Sequence, residues 1–345
     1  MMSPIRSAVR RAAVLLLPAI CLLCLINASS LAQEPAEAKV VPPVPALDSV
    51  RWSGKPVNFE MLRGKTVVML VYATWCPICN KWSGDLFNQL KAAIEGKPVV
   101  LMAINADAGP QGVQAYLTQR DFFAPNILHA YDPSMVEKLK LKGPLFNYAL
   151  IGPDGKMQRT GNGGMFRPEG GAKKYSLPAN ISKDANLGSF ELIPEDVSPE
   201  VAGVLWPLEL GLAVDTDLTR VKKSLAEEHQ EELKTVIDTH LDGRLKEIRE
   251  LSEGEVTEKF EAVDLAKRTT IKFRSASQTR DIRKLLLELG RDKQFKKEMA
   301  AKTFYDRQIR MAEKAPARRQ VYLQAVAKRF AGTHYGDLAN EESKE

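Results

Sequence analysis

The run Thr66-Val67-Val68-Met69-Leu70-Val71-Tyr72 is apolar, β-branched and aromatic, and it stops just before a cysteine pair in Ala73-Thr74-Trp75-Cys76-Pro77-Ile78-Cys79. Such a run predicts a strand buried on both faces. The next stretch has a different period. From Ser83 to Glu95 the apolar residues Leu86, Phe87, Leu90, Ala93 and Ile94 recur at helical spacing, which predicts a helix opening at Cys76. A strand ending at Trp75 and a helix starting at Cys76 place the first sulfur at a helix N-terminus, where unpaired backbone N–H groups and the helix dipole favour thiolate over thiol. The second sulfur, one turn on, is within reach of a mixed disulfide formed on the first. The pattern points to dithiol–disulfide exchange.

These are the last two of four cysteines, because Cys21 and Cys24 fall in a segment that reads as removable. Arg6, Arg10 and Arg11 precede an apolar stretch from Ala12 to Ile26, and Ser30-Leu31-Ala32 supplies a small-x-small cleavage site. Residues 1–32 are thus expected to be a signal peptide that exports the chain to a periplasmic or other extracytoplasmic compartment, where a cysteine pair can cycle. The apolar stretch is shorter than the roughly 20 residues that span a bilayer comfortably. Membrane association through an uncleaved N-terminal segment is the alternative. Ile20 and Leu23, ahead of the two cysteines, do not fit a lipoprotein signal.

The 345 residues are 44% hydrophobic and 27% charged, an ordinary globular composition with room for two domains. The formal charge of +6 falls to about +3 without the three N-terminal arginines. From Lys267 to Glu345 there are 20 Lys and Arg against 10 Asp and Glu. Solvation of helix surfaces accounts for such an excess. An acidic partner, an anionic membrane or a nucleic acid would also suit it, although no nucleic-acid motif is present and none is expected as a partner.

Residues 33–46 are rich in Pro, Ala and Glu and predict a disordered linker. Beyond the first strand and helix, Pro98–Asn105 predicts a second buried strand, Val113–Arg120 and Met135–Leu141 two helices, and Phe146–Ile151 a third strand. Gly152-Pro153-Asp154-Gly155 then turns the chain into a fourth strand near Lys156–Arg159. This α/β pattern implies a mixed sheet over residues 47–164. Residues 165–214 read as a loop or insertion, glycine-rich at first, and then a connecting helix that Ser198-Pro199-Glu200 opens and Pro207 limits. Residues 215–345 read as a basic α-helical domain.

The segment from Val67 to Cys79, with Leu150-Ile151-Gly152-Pro153-Asp154-Gly155-Lys156, resembles the thioredoxin fold, and most of all its exported TlpA/ResA-like branch. The likeness covers about a third of the chain, Leu47 to Gly164. It implies that Cys76 is the nucleophile and Cys79 the resolving thiol, that Trp75 flanks the site and that Pro77 stiffens the first helical turn. It also implies a cis-proline opening the strand that faces the sulfurs. The family register puts Phe146 at that position, and a strand starting two residues earlier would put Pro144 there. Leu70 stands where several family members carry a buried acid.

The resemblance implies an extracytoplasmic thiol–disulfide oxidoreductase acting on protein disulfides or dithiols, with an upstream redox partner. The contrasting expectation is a weakened thioredoxin-like scaffold whose helical half recognises partners. No cofactor is expected. No metal is expected either, since His129, His229, His240 and His334 show no ligand spacing relative to the pair. Trp52, Trp82 and Trp206 are expected to pack, and His129, ahead of a predicted turn at Ala130–Pro133, to lie at the surface or be hydrogen-bonded.

Overall fold

The computed structural model describes residues 43–344 apart from 108, 110, 140–145, 163–165, 170, 171 and 185. The expected signal peptide, most of the expected linker and Pro144 lie outside the described residues. Pro42–Glu345 forms one compact unit.

Six strands make the main sheet: β1 (Arg51–Trp52), β2 (Thr66–Tyr72), β3 (Val99–Asn105), β4 (Ile127–Tyr131), β5 (Asn147–Ile151) and β6 (Met157–Asn162), in the order β1-β4-β3-β2-β5-β6. β2 is central. It runs parallel to β3, with Thr66 opposite Val99, and antiparallel to β5, with Val71 opposite Asn147. All seven of its residues are buried, which is why its sequence shows no polar alternation. β3 pairs parallel with β4, and β1 and β6 close the two edges antiparallel.

Alternation sends Val68, Leu70 and Tyr72 to one face of the sheet and Val67, Met69 and Val71 to the other. The first face is covered by α1 (Pro77–Ile94), α2 (Val113–Gln119) and α4 (Ser176–Lys183). On the second lie α3 (Met135–Lys138), the N-terminal residues Leu47 and Val50, and α5 (Pro199–Glu209).

Two stretches differ from the sequence reading. The expected turn at Ala130–Pro133 begins inside β4, a five-residue strand bracketed by Pro125-Asn126 and Asp132-Pro133 and held by pairing with β3 and β1. The expected loop after residue 164 contains a hairpin, β7 (Phe166–Glu169) with β8 (Ala172–Tyr175), and then α4. Its glycines hide a short apolar set, since Tyr175, Leu177 and Ile181 are fully buried against the α1 layer. Past α4 the chain returns along β2. Gly188 takes φ +90°, and a Cβ there would meet the Gly64 carbonyl oxygen at 2.0 Å, so this crossing requires glycine.

α5 begins as expected, with Ser198 Oγ accepting the Val201 N–H at 3.4 Å. It runs two residues past Pro207, to Glu209: the ring removes one intrahelical donor, and the next turn still closes, with the Leu210 N–H donating to the Trp206 carbonyl at 3.0 Å. The remaining helices are α6 (Asp215–Lys222), α7 (Glu227–Glu253), α8 (Val256–Lys272), α9 (Gln278–Arg291), α10 (Lys293–Lys314), α11 (Arg319–Arg329) and α12 (His334–Glu342). Leu205, Trp206 and Leu208 of α5 join the second sheet face to Leu233 and Leu241 of α7 and to Phe273 in one apolar cluster. At its edge Lys65 Nζ meets Glu209 Oε1 at 2.8 Å, both side chains being almost wholly buried. The Glu209 carboxylate also accepts the Glu191 and Leu192 N–H groups at 2.8 and 2.7 Å.

Candidate active site

Cys76 is the N-cap of α1 and Pro77 its first helical residue, where the missing N–H is one the helix leaves unpaired anyway. Cys76 Sγ accepts the Cys79 N–H at 3.2 Å. The first sulfur is therefore met by a backbone donor at a helix N-terminus, an arrangement suited to negative charge. Both cysteines are free thiols. Cys76 is 6% exposed and Cys79 fully buried, while Trp75 beside them is 66% exposed. Burial, reinforced by the hydrogen bond with Cys76, pushes the Cys79 thiol up to about 12, so it holds its proton at neutral pH.

The turn that presents Cys76 is tied down from β3. Thr74 N–H and Oγ1 both donate to the carboxylate of Asp107, the backbone bond at 3.0 Å, and Asn80 Nδ2 donates to the Thr74 carbonyl at 2.9 Å. Sequence reasoning missed Asp107. Its only local signal is an acid two residues beyond the end of a buried strand, and its partner lies 33 residues away.

Phe146 sits immediately before β5, and its N–H donates to the Val71 carbonyl at 2.9 Å. The ring is fully buried in the cluster that holds both cysteines, edge-on to Phe87 at 6.1 Å. Its φ of +75° is a left-handed conformation that bulky residues seldom take, costing on the order of 1–3 kcal/mol. Among the described residues no peptide bond is cis, and Pro144 and Leu145 are not among them.

Leu70 is fully buried between Ala103 and Tyr148, so its row of the sheet offers the second thiol no acid from β2. The polar groups near Cys79 come from α2 instead. Tyr116 Oη donates to the Cys79 carbonyl at 3.3 Å, and its ring stacks on Tyr72 at 5.8 Å. The Arg120 guanidinium lies 3.7 Å over the Tyr116 ring and donates to Ser83 Oγ and to the Tyr116 carbonyl. Burial pushes Tyr116 up to about 12, keeping it a neutral donor.

His129 is half-buried in the sheet and not at the surface. It lies on β4 in the row of Leu70, against Phe122 and Phe123, with both ring nitrogens buried and without a hydrogen-bond partner among the described residues. Burial lowers it to about 4, so the ring is neutral at pH 7. The difference from the expectation comes from β4, which carries the ring into the sheet where a turn would have left it outside. Trp206 is buried and Trp52 and Trp82 pack at the edges of the two cores. Lys81 and Asp85 lie on the exposed side of α1.

Residues 37–174 match the Redoxin family model. None of the curated proteins matches the chain. Among solved structures, a putative thiol:disulfide interchange protein DsbE from Chlorobium tepidum is 25% identical, over 37% of this chain and 84% of its own, with a TM-score of 0.30. A thiol-disulfide isomerase from Corynebacterium glutamicum is 16% identical, over 42% and 99%, with a TM-score of 0.33. A secreted Mycobacterium tuberculosis disulfide oxidoreductase is 19% identical, over 43% and 96%, with a TM-score of 0.27. The segment 37–174 thus matches the Redoxin model and, with its mixed sheet and its cysteine pair at the start of α1, is thioredoxin-like in fold; a run of helices succeeds it.

Proposed function

We propose that the chain is an extracytoplasmic thiol–disulfide oxidoreductase that reduces specific protein partners through Cys76 and Cys79. The observation that carries this reading is the N-cap geometry, in which Cys76 Sγ accepts the Cys79 N–H while Cys79 lies buried behind it. Cys76, as thiolate, attacks one sulfur of a partner disulfide. The partner S–S bond breaks, its leaving sulfur takes a proton, and a mixed disulfide forms. Cys79 then loses its proton and attacks Cys76 Sγ, releasing the second partner thiol and leaving a Cys76–Cys79 disulfide. Two electrons have passed to the partner, and an upstream dithiol restores the pair. Burial holds the proton on Cys79, which it must shed before it can resolve the mixed disulfide. Trp75, exposed beside the sulfurs, offers the partner an apolar contact, and Phe146 walls the pair from β5. The N-terminal pattern of residues 1–32 supports export; among the described residues no helix is long and apolar enough to cross a membrane.

A second reading has its own observation. Phe146 and the burial of Cys76 leave little sulfur accessible, which favours a scaffold in which the helical half recognises partners. Trapping separates the two. A Cys79→Ser variant expressed in cells should accumulate mixed disulfides through Cys76, and the unaltered protein should reduce insulin with dithiothreitol as donor. An absence of both would overturn the enzymatic reading and leave the scaffold.

A further inference from the structure

The helical half carries a surface that dithiol chemistry does not use. The loop after α8 and the first turns of α9 wall a hollow of about 400 Å³ lined by Arg274, Arg280, Arg283, Lys284 and Leu287. A second hollow, of about 450 Å³, shares the loop residues Ser275 and Ala276 and adds Lys222, Lys223 and Lys234. Seven cations thus converge on one loop.

Little of that charge is neutralised within the chain. Among the described residues, Lys284 alone of the seven forms an ion pair, with Asp281 at 3.0 Å on the same exposed helix face. Arg274 and Arg283 donate to backbone carbonyls, those of Ile271 and Arg274, at 3.3 and 3.4 Å. The nearby acids are otherwise engaged. Asp215 is buried and accepts the Arg274 N–H, the Ser275 N–H and Ser275 Oγ, while Asp238 accepts Gln278 Nε2. Helix solvation explains scattered cations. It does not explain why a large apolar side chain stands exposed among them: Leu287 is 61% exposed and lines the first hollow.

We infer that this face docks on a bilayer of anionic phospholipid. Guanidinium and ammonium groups meet the phosphates, and Leu287 enters the headgroup boundary. A soluble polyanion would satisfy the charge but leave Leu287 in water, so the mixture of the two favours lipid. The apolar segment Ala12–Ile26, read as a signal or an anchor, also brings the chain to a membrane.

The test is hydrogen exchange of the full chain with vesicles of phosphatidylglycerol or of phosphatidylcholine, read at the amides of residues 271–287. Because this readout is local, insertion of residues 12–26 does not obscure it. Phosphatidylglycerol should slow exchange there, and phosphatidylcholine should not. Removing two charges, Arg280→Gln with Arg283→Gln, should weaken binding about thirtyfold, at about a fivefold loss per cation removed. Leu287→Ala, at an exposed position where folding is not at stake, should weaken it about tenfold, and insulin reduction should be unchanged in both variants. Equal protection by the two lipids, no protection by either, or protection by inorganic polyphosphate but not by phosphatidylglycerol would overturn the inference.

Discussion

The two faces of the central sheet are built from one set of strands and are put to different uses. On the α1 face, Tyr72, Phe87, Tyr116, Phe122 and Phe146 surround the cysteines. Among the described residues, all but one of the buried polar side-chain atoms left without a hydrogen bond lie on this face, in Thr66, Tyr72, Asn105 and His129; the exception is Asn147 Nδ2. The opposite face is aliphatic, with Val67, Met69, Val71, Val100, Met102 and Ile104 meeting the helices. Its buried charges are matched, since the Glu209 carboxylate takes Lys65 and two backbone N–H groups together. Unmet polar groups and a left-handed phenylalanine cost stability, and they collect on the face that holds the cysteines. Matched groups hold the added helices. The comparison teaches that chemistry and attachment have been placed on opposite sides of β2.

Three measurements break or sharpen that contrast. The largest effect is expected for Cys76→Ser, which should reduce insulin reduction by at least about a thousandfold, since the nucleophile is lost. Serine is itself a good N-cap, so the urea midpoint should barely move, within about 0.5 kcal/mol. A large loss of stability would show that the chemical face is also structural.

Glu209→Gln should do the reverse. It leaves Lys65 buried without a counter-charge, at about 3–5 kcal/mol by equilibrium urea unfolding, while the folded fraction keeps its exchange activity. The double variant Lys65→Met with Glu209→Met should recover only part of the loss, because the Glu191 and Leu192 N–H groups stay unpaired. Full recovery would mean that those two bonds contribute nothing.

The third effect is in pH. His129 on the chemical face is lowered by burial to about 4, and so is His240, which lies against Phe273 in the apolar cluster of the other face. An unfolded histidine titrates near 6.5, so between about 6.5 and 4 the unfolded chain binds more protons than the folded one. Stability must then fall as the pH drops through that window, by about 3 kcal/mol for each ring at most. Urea midpoints measured from pH 7.5 to 4 should show the slope, His129→Leu should remove about half of it, and His240→Leu should remove much of the remainder. An unchanged slope in His129→Leu would mean that its ring is solvated.

The parts of the fold legible in sequence are those whose own residues carry the pattern. β2 was readable from its unbroken apolar run, though it ends at Tyr72 and not at the expected Trp75, and α1 from its 3.6 period and from the Cys76-Pro77 start. That residues 215–345 are helical was readable as well, and the apolar residues Leu233, Val236, Ile237, Leu241, Leu245, Ile248 and Leu251 recur at three- and four-residue steps along α7. β4 was not, because a five-residue strand between turn residues exists only through pairing with β3 and β1. Nor was α4, a short helix after a glycine-rich stretch, which is held by what Tyr175, Leu177 and Ile181 touch.

The sequence by itself determined a buried strand leading into a helix that begins on a cysteine, and with it the chemistry two thiols at that spacing can perform. Those are local matters of period, capping and spacing. Tertiary structure alone decided what surrounds the pair: that Asp107 pins the turn from 33 residues away, that Phe146 adopts a left-handed conformation beside the sulfurs, and that Tyr116 rather than an acid approaches Cys79. It also decided that the helices dock on the face opposite the cysteines. Each depends on which distant groups burial brings together, and nothing in the spacing of neighbouring residues encodes that.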